Sequence, residues 1–317
     1  MTDNPEPKPL VAAASVRPAE AVSGAASDAD DDVAPGGTPA GRLLVQFFLI
    51  PLFIVAVAVF VFWLFGTVAI DKKNAADLLT DVRTGSLNQR WQAAFELSRR
   101  LPKVDDPAAR AAFTSQAMKA FEEAGGDDPR VRRYLALVLG RLGEPRAVPL
   151  LERSLDDKDA ETRLYALWAL ALIGDPASAP KVRPLLDSED AGIRKTAAFA
   201  AGRMEDGEAI PGLKRLLGDA SVDVRWNAAL ALATLEDPAG RDVLVQMTDR
   251  ASLARVPGLL AEQQDDAILN GLRGLVLLKD PQAVPIGERL KSKDPSLRVR
   301  REAPKVVAGA GSAGARP

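Results

Sequence analysis

Between residues 128 and 238 apolar positions fall in blocks with helical spacing, and the blocks return every 31 residues. Arg132, Arg163, Arg194 and Arg225 mark the interval. Around them Leu135, Ala166, Ala197 and Ala228 form one column, and Leu139, Leu170, Ala201 and Leu232 another. A fixed period of this length signals a solenoid of short supersecondary units. Each unit leaves an apolar face uncovered until its neighbour stacks on it, so stability belongs to the array. Gly143-Glu144-Pro145 and Gly174-Asp175-Pro176 end one helix and start the next, because glycine suits a left-handed cap and proline cannot continue the preceding helix. Asp128-Pro129 supplies an N-cap followed by proline in the first helical position. Pro149, Pro180 and Pro211 keep the same interval. The pattern predicts a helix, a tight turn and a second helix in every unit.

The pattern changes toward both ends. Residues 1–41 are rich in Ala, Pro, Gly, Ser and Asp, include Asp28, Asp30, Asp31 and Asp32, and lack large apolar side chains. They read as a disordered acidic tail, either a solubilising extension or a docking tag for a basic partner. Residues 42–70 form the second segment. From Leu43 to Ile70 there is no charged residue, which predicts one transmembrane helix that stays as an anchor. A cleaved signal would be shorter and nearer the N-terminus. Pro51 predicts a kink, and Trp63 fits an interfacial site only if the helix ends early. Arg42 precedes the span, whereas Lys72, Lys73, Arg83 and Arg90 follow it. The positive-inside rule then places the repeats in the cytoplasm, at a bacterial inner membrane, with the opposite topology as the alternative.

Residues 71–126 read as linker helices and a degenerate first repeat, with helices over 75–83, 89–101 and 107–124. Arg90-Trp91-Gln92-Ala93-Ala94-Phe95 there matches Arg225-Trp226-Asn227-Ala228-Ala229-Leu230. The solenoid proper is placed at 127–303, with about twelve extra residues near 250–262 and Ile268 where Arg is expected. The motif returns at Asp294-Pro295-Ser296-Leu297-Arg298, and 304–317 reads as a flexible end.

Composition narrows the chemistry. The chain has 41 Lys plus Arg against 43 Asp plus Glu, so no field of one sign favours a nucleic-acid backbone. It has no Cys and no His, which removes thiolate metal sites, the commonest metal ligand and the commonest general base. There is no phosphate-binding P-loop and no Gly-x-Ser-x-Gly nucleophile motif. Carboxylate pairs such as Asp156 and Asp157 lie in predicted turns, where capping and solvation explain them. No metal, cofactor or catalytic residue is expected.

The Asp-Pro-x-Val-Arg motif at 128–132, the small-residue helix after it, and the Gly-Glu/Asp-Pro-x-Ala turn before a Leu-rich helix resemble HEAT repeats of the short type also found in phycobilisome bilin lyases. The resemblance covers roughly residues 89–303 and is strongest over 127–240. It implies an all-α, right-handed HEAT-like α-solenoid of about six units, preceded here by the single transmembrane helix. It also implies that Arg132, Arg163, Arg194, Arg225 and Arg298 are structural rather than a ligand-binding row, joining neighbouring units through acidic groups in adjacent turns, with Asp128, Asp159, Asp190 and Asp294 available as caps or partners. The iron site of HEAT-like deoxyhypusine hydroxylases rests on His-Glu pairs, which a chain without His does not reproduce.

The resemblance further implies that the second helix of each unit lines a concave face, with outward positions one, two, five and nine residues after the Arg. Those places hold Arg133, Tyr134, Leu137 and Arg141, then Leu164, Tyr165, Trp168 and Leu172. Lys195, Thr196, Phe199 and Arg203 follow, then Trp226, Asn227, Leu230 and Thr234, while the earlier unit adds Trp91, Phe95 and Arg99. Aromatic and Arg residues on a rigid surface are the usual anchors of protein interfaces. The competing reading is that they fill gaps between helices. The function expected is a membrane-tethered scaffold binding a protein through its concave face, for instance a neighbouring membrane complex; the alternative is a bilin-lyase-like or other ligand-modifying enzyme.

Overall fold

The computed structural model describes residues 48–68, 73–101, 106–126 and 128–313. The expected tail, 1–41, lies outside them. Two compact units are present, Met1–Asp71 and Lys72–Pro317.

In the first unit, α1 (Ile50–Val68) carries no charged residue. Its large side chains are exposed, among them Phe53, Phe60, Phe62 and Trp63. The predicted span is not reproduced as such: no helix among the described residues is long and apolar enough to cross a membrane. Nineteen residues rising 1.5 Å each reach about 28 Å, just under the ~30 Å of a hydrocarbon core. The rest of the stretch, residues 43–47 and 69–70, falls outside the described set.

The second unit is an all-helical solenoid. It begins with α2 (Ala75–Thr84), α3 (Leu87–Arg99) and α4 (Pro107–Glu123). The regular units follow as α5 (Pro129–Leu142) with α6 (Val148–Arg153), then α7 (Ala160–Ile173) with α8 (Ala179–Val182). Next come α9 (Ala191–Arg203) with α10 (Ile210–Leu216), and α11 (Val222–Thr234) with α12 (Arg241–Met247). The longer helices α3, α5, α7, α9 and α11 pack side by side in one row, and the short ones lie behind them. The α8 segment is brief because Pro180 and Pro184 limit it and a 3-10 turn over Arg183–Asp187 completes it.

Caps explain the boundaries. Asp128, Asp159 and Asp190 accept backbone N–H bonds from Arg130, Thr162 and Ile193. Gly143 and Gly174 end α5 and α7 at φ of 68° and 69°. At the equivalent places the chain puts Glu205 and Glu236 at φ of 53° and 58°, so the left-handed cap geometry persists where glycine does not.

One core runs from Leu79 through Phe121, Leu135, Leu167 and Leu213 to Leu232, and a second continues it through Leu244, Ile268, Leu272 and Val299. They meet on α11, where Ala228 and Leu232 face one and Ala229 and Ala233 the other. Beyond α12 the extra residues form α13 (Arg250–Leu253) and a loop, after which α14 (Ala261–Leu277), α15 (Ala283–Lys293) and α16 (Leu297–Ala313) close the array. Ile268 is fully buried in the Arg column's place. The boundary expected at 303 does not appear, because α16 continues through Pro304 to Ala313. Val306 and Val307 pack on the second core and hold the helix past the proline.

Candidate interface on the long-helix row

Four of the recurring arginines bond to the turns beside their helices, two of them through an acid of the adjacent turn. Arg163, Arg194 and Arg225 each donate from Nη1 to two carbonyls of the turn before their own helix, at Asp157 and Lys158, Ser188 and Glu189, and Asp219 and Ala220. Arg194 also reaches forward to grip the Asp219 carboxylate at 2.7 and 3.0 Å. Arg132 pairs with Asp157 and lies over the Phe121 ring at 4.9 Å. The pairing acid thus stands 25 residues after the Arg, a position that holds Asp157, Ser188, Asp219 and Arg250 in successive units. Asp128, Asp159 and Asp190, expected as caps or partners, cap their helices, and Asp159 is held by Arg133 rather than Arg132. Arg298 makes an exposed pair with Asp266.

At the insertion the roles are exchanged. Arg250 occupies the acid's position and binds Asp265 at 2.5 Å and Asp294 at 2.8 and 3.0 Å, while Ser296 donates to Asp265. This network fastens α13 to α14 and to the start of α16.

Of the residues expected to face outward, five are aromatic side chains whose rings meet in a group of three and a pair. Phe95 meets Tyr134 edge-on at 5.1 Å, Tyr134 meets Tyr165 at 6.1 Å, and Trp168 stacks on Phe199 at 5.2 Å with 20° between the rings. Trp168 is 40% exposed and the others are half-buried. A cavity of about 290 Å³ lined by Leu137, Leu164, Tyr165 and Trp168 lies on one side of this indole. Another of about 420 Å³ is also lined by Trp168, together with Phe199, Arg203, Asn227, Leu230 and Asn270. Burial pushes the Tyr165 hydroxyl above its usual range.

Other candidates are taken up by the fold. Arg133 binds Asp159 and Glu161, and its hydrogen bond is the main reason the Asp159 carboxyl lies far below the usual carboxylate range. Arg141 donates to the Ser98 carbonyl. Trp91 is covered by Arg130, whose guanidinium sits 4.4 Å from the ring, and its indole N–H is buried without a partner. Arg99 lies over Phe95 at 5.5 Å. Trp226 lines a separate cavity near the insertion. Asn270 was not among the expected outward residues, although it follows Ile268 by two residues as Asn227 follows Arg225.

Residues 117–199 and 180–262 match the family model for HEAT repeats. This part of the chain consists of HEAT repeats. No curated protein sequence matches significantly. Among solved structures, the complex of CpcE and CpcF of phycocyanin lyase from Nostoc sp. PCC7120 superposes with a TM-score of 0.51 at 20% identity, covering 75% of this chain and 95% of that one. At that identity the likeness shows the fold alone. YibA of Escherichia coli (TM-score 0.44, 15% identity, 75% and 93% covered) and human deoxyhypusine hydroxylase with glycerol (0.31, 16%, 78% and 99%) superpose too loosely to carry an argument.

Proposed function

We propose that the HEAT-repeat unit is a non-catalytic scaffold that binds another protein along the long-helix row, with Trp168 and Phe199 as anchors. The supporting observation is the stacked, 40% exposed Trp168, which lines two open cavities. Aromatic side chains beside preformed hollows suit a partner's apolar side chains. Photo-crosslinking from position 168, with Lys181 on the short-helix side as control, tests the reading. One protein captured from 168 and not from 181 supports it. Chromophore or another small molecule co-purifying in the same cavities favours the ligand-modifying alternative, and no adduct from either position removes the scaffold reading.

The same proposal places the unit at a membrane, tethered through residues 43–70 with the repeats on the cytoplasmic side of a bacterial inner membrane. Its support is the charge-free sequence together with the exposed apolar side chains of α1. Carbonate extraction of the full chain and of a variant lacking 43–70 checks the tether, the variant being expected in the soluble fraction. Digestion of the repeats by protease added outside spheroplasts overturns the orientation.

A further inference from the structure

Beyond that reading, the insertion builds a cavity whose lining is cationic. It measures about 390 Å³ and is bounded by Arg225 and Trp226 of α11, Val243 and Gln246 of α12, and Ser252 and Arg255 from the extra residues. We propose that this cavity binds an oxyanion, a carboxylate or a phosphate group, carried on an apolar or planar body that rests on Trp226.

The argument comes from comparing equivalent places in the repeats. Elsewhere the start of the long helix is neutralised by an acid, with Asp128, Asp159 and Asp190 as N-caps. At α11 the cap is Ser221, whose side chain makes no capping bond, and the acid of this helix's first turn, Asp223, is exposed. The recurring Arg loses its acid as well. Arg132 and Arg194 have Asp157 and Asp219 ahead of them, whereas the place ahead of Arg225 holds Arg250, already committed to Asp265 and Asp294. Arg163 also lacks a forward acid, since Ser188 stands there, but its own helix keeps the Asp159 cap.

The remaining nearby carboxylates are engaged elsewhere. Asp219 is gripped by Arg194, although it also feels Arg225, and exposed Asp223 is 3.9 Å from Lys195. Asp249 caps α13. Arg255 then adds a second guanidinium whose Nη2 donates to the Ser252 hydroxyl at 3.1 Å. No acid lines the cavity, and neither Arg225 nor Arg255 forms an ion pair among the described residues. The Ser252 hydroxyl gives its one proton to Asp249, so two guanidinium groups and the Gln246 amide are the donors around a hollow of this size, suited to a planar or tetrahedral oxyanion. The indole wall supplies the face for an attached ring or chain.

Titration calorimetry on the full chain tests this with inorganic phosphate, with N-acetyl-phenylalanyl-glutamate, and with the uncharged amide of that dipeptide. Saturable binding of phosphate or the acidic dipeptide, and none of the amide, is expected. The tighter of the two anions identifies the group. Arg255→Gln should weaken binding at least tenfold, and Trp226→Leu should weaken the dipeptide but not phosphate. Arg255 is exposed and its side chain donates to Ser252 within its own turn, so its variant should stay folded even if Arg225→Gln does not. Lys181→Gln is the charge-matched control and should bind as the parent does. No saturable anion binding, or equal affinity in the parent and Arg255→Gln, overturns the proposal.

Discussion

Gly140 on α5 lies directly against Ala169 on α7, so that a Cβ built on the glycine falls 2.6 Å from the Ala169 Cα and 2.8 Å from its Cβ. Gly202 repeats the relationship with Ala231 at 3.0 Å, while the unit between them carries Ala171 at the equivalent place. The 31-residue repeat is therefore a 62-residue one in detail, since the forward acid of the Arg column alternates in the same way. Gly140→Ala gains up to about 1 kcal/mol of helix propensity. It forces two backbones apart, which costs about 1–3 kcal/mol. Net destabilisation is expected, read as a lower urea midpoint with unchanged slope. Gly125→Ala, where a Cβ meets nothing within 4 Å, should leave the midpoint in place.

A second expectation separates anchor from core among the aromatic side chains. Phe121 is 1% exposed, and Phe121→Ala should cost about 3–5 kcal/mol of stability. Trp168 is 40% exposed and already wet on one face, so Trp168→Ala should cost clearly less. If the long-helix row is an interface, Trp168→Ala with Phe199→Ala should lower partner affinity well over tenfold, at roughly 2 kcal/mol or more each. Unfolding midpoints measured beside affinity decide it: a large stability loss with unchanged affinity of the folded fraction ends the anchor role.

The array and most helix starts were legible because periodicity, Asp caps and Gly-Pro turns are local signals. The three helices before the regular repeats agree with the expected 75–83, 89–101 and 107–124 to within two residues at each end. The outward offsets picked out Phe95, Tyr134, Tyr165, Trp168 and Phe199, whose rings meet from one unit to the next. They could not show that Arg133 and Arg141 are consumed by neighbouring units, because a salt bridge across 26 residues and a bond to a carbonyl 43 residues away depend on how units stack. Trp91 was misplaced for a similar reason, Arg130 being one turn-start away in space but 39 residues away in sequence.

Acid should loosen the junction between α9 and α11. The Arg194 guanidinium holds the Asp219 carboxyl below the usual carboxylate range, helped by the Ser221 N–H. A depressed folded-state pKa means that the unfolded chain binds the proton more readily. The contribution is fully present above the unfolded value near 4, and it is lost as pH falls through the folded one. Thermal midpoints should therefore decline below about pH 4. Asp219→Asn should lower the midpoint at pH 7 and flatten that part of the acid slope. An unchanged slope in Asp219→Asn would show that this pair does not contribute.

Arg250 offers a test of how the solenoid ends. Its guanidinium bridges Asp265 on α14 and Asp294 before α16, and both carboxylates are buried, at 9% and 6% exposure. Arg250→Met keeps the side chain's length and apolar stem but leaves two buried acids without their counter-charge. Breaking such a network costs about 3 kcal/mol. In a one-dimensional array that cost falls on the units beside the break rather than on the whole. Hydrogen exchange should therefore accelerate in α14, α15 and α16 while α5, α7 and α9 keep their protection. The second core joins the first at α11 and Leu217, so local opening of the C-terminal end is the cheaper response. Uniform acceleration along all the long helices would instead mean that the array unfolds as one cooperative block and that the Arg250 network stabilises every unit equally.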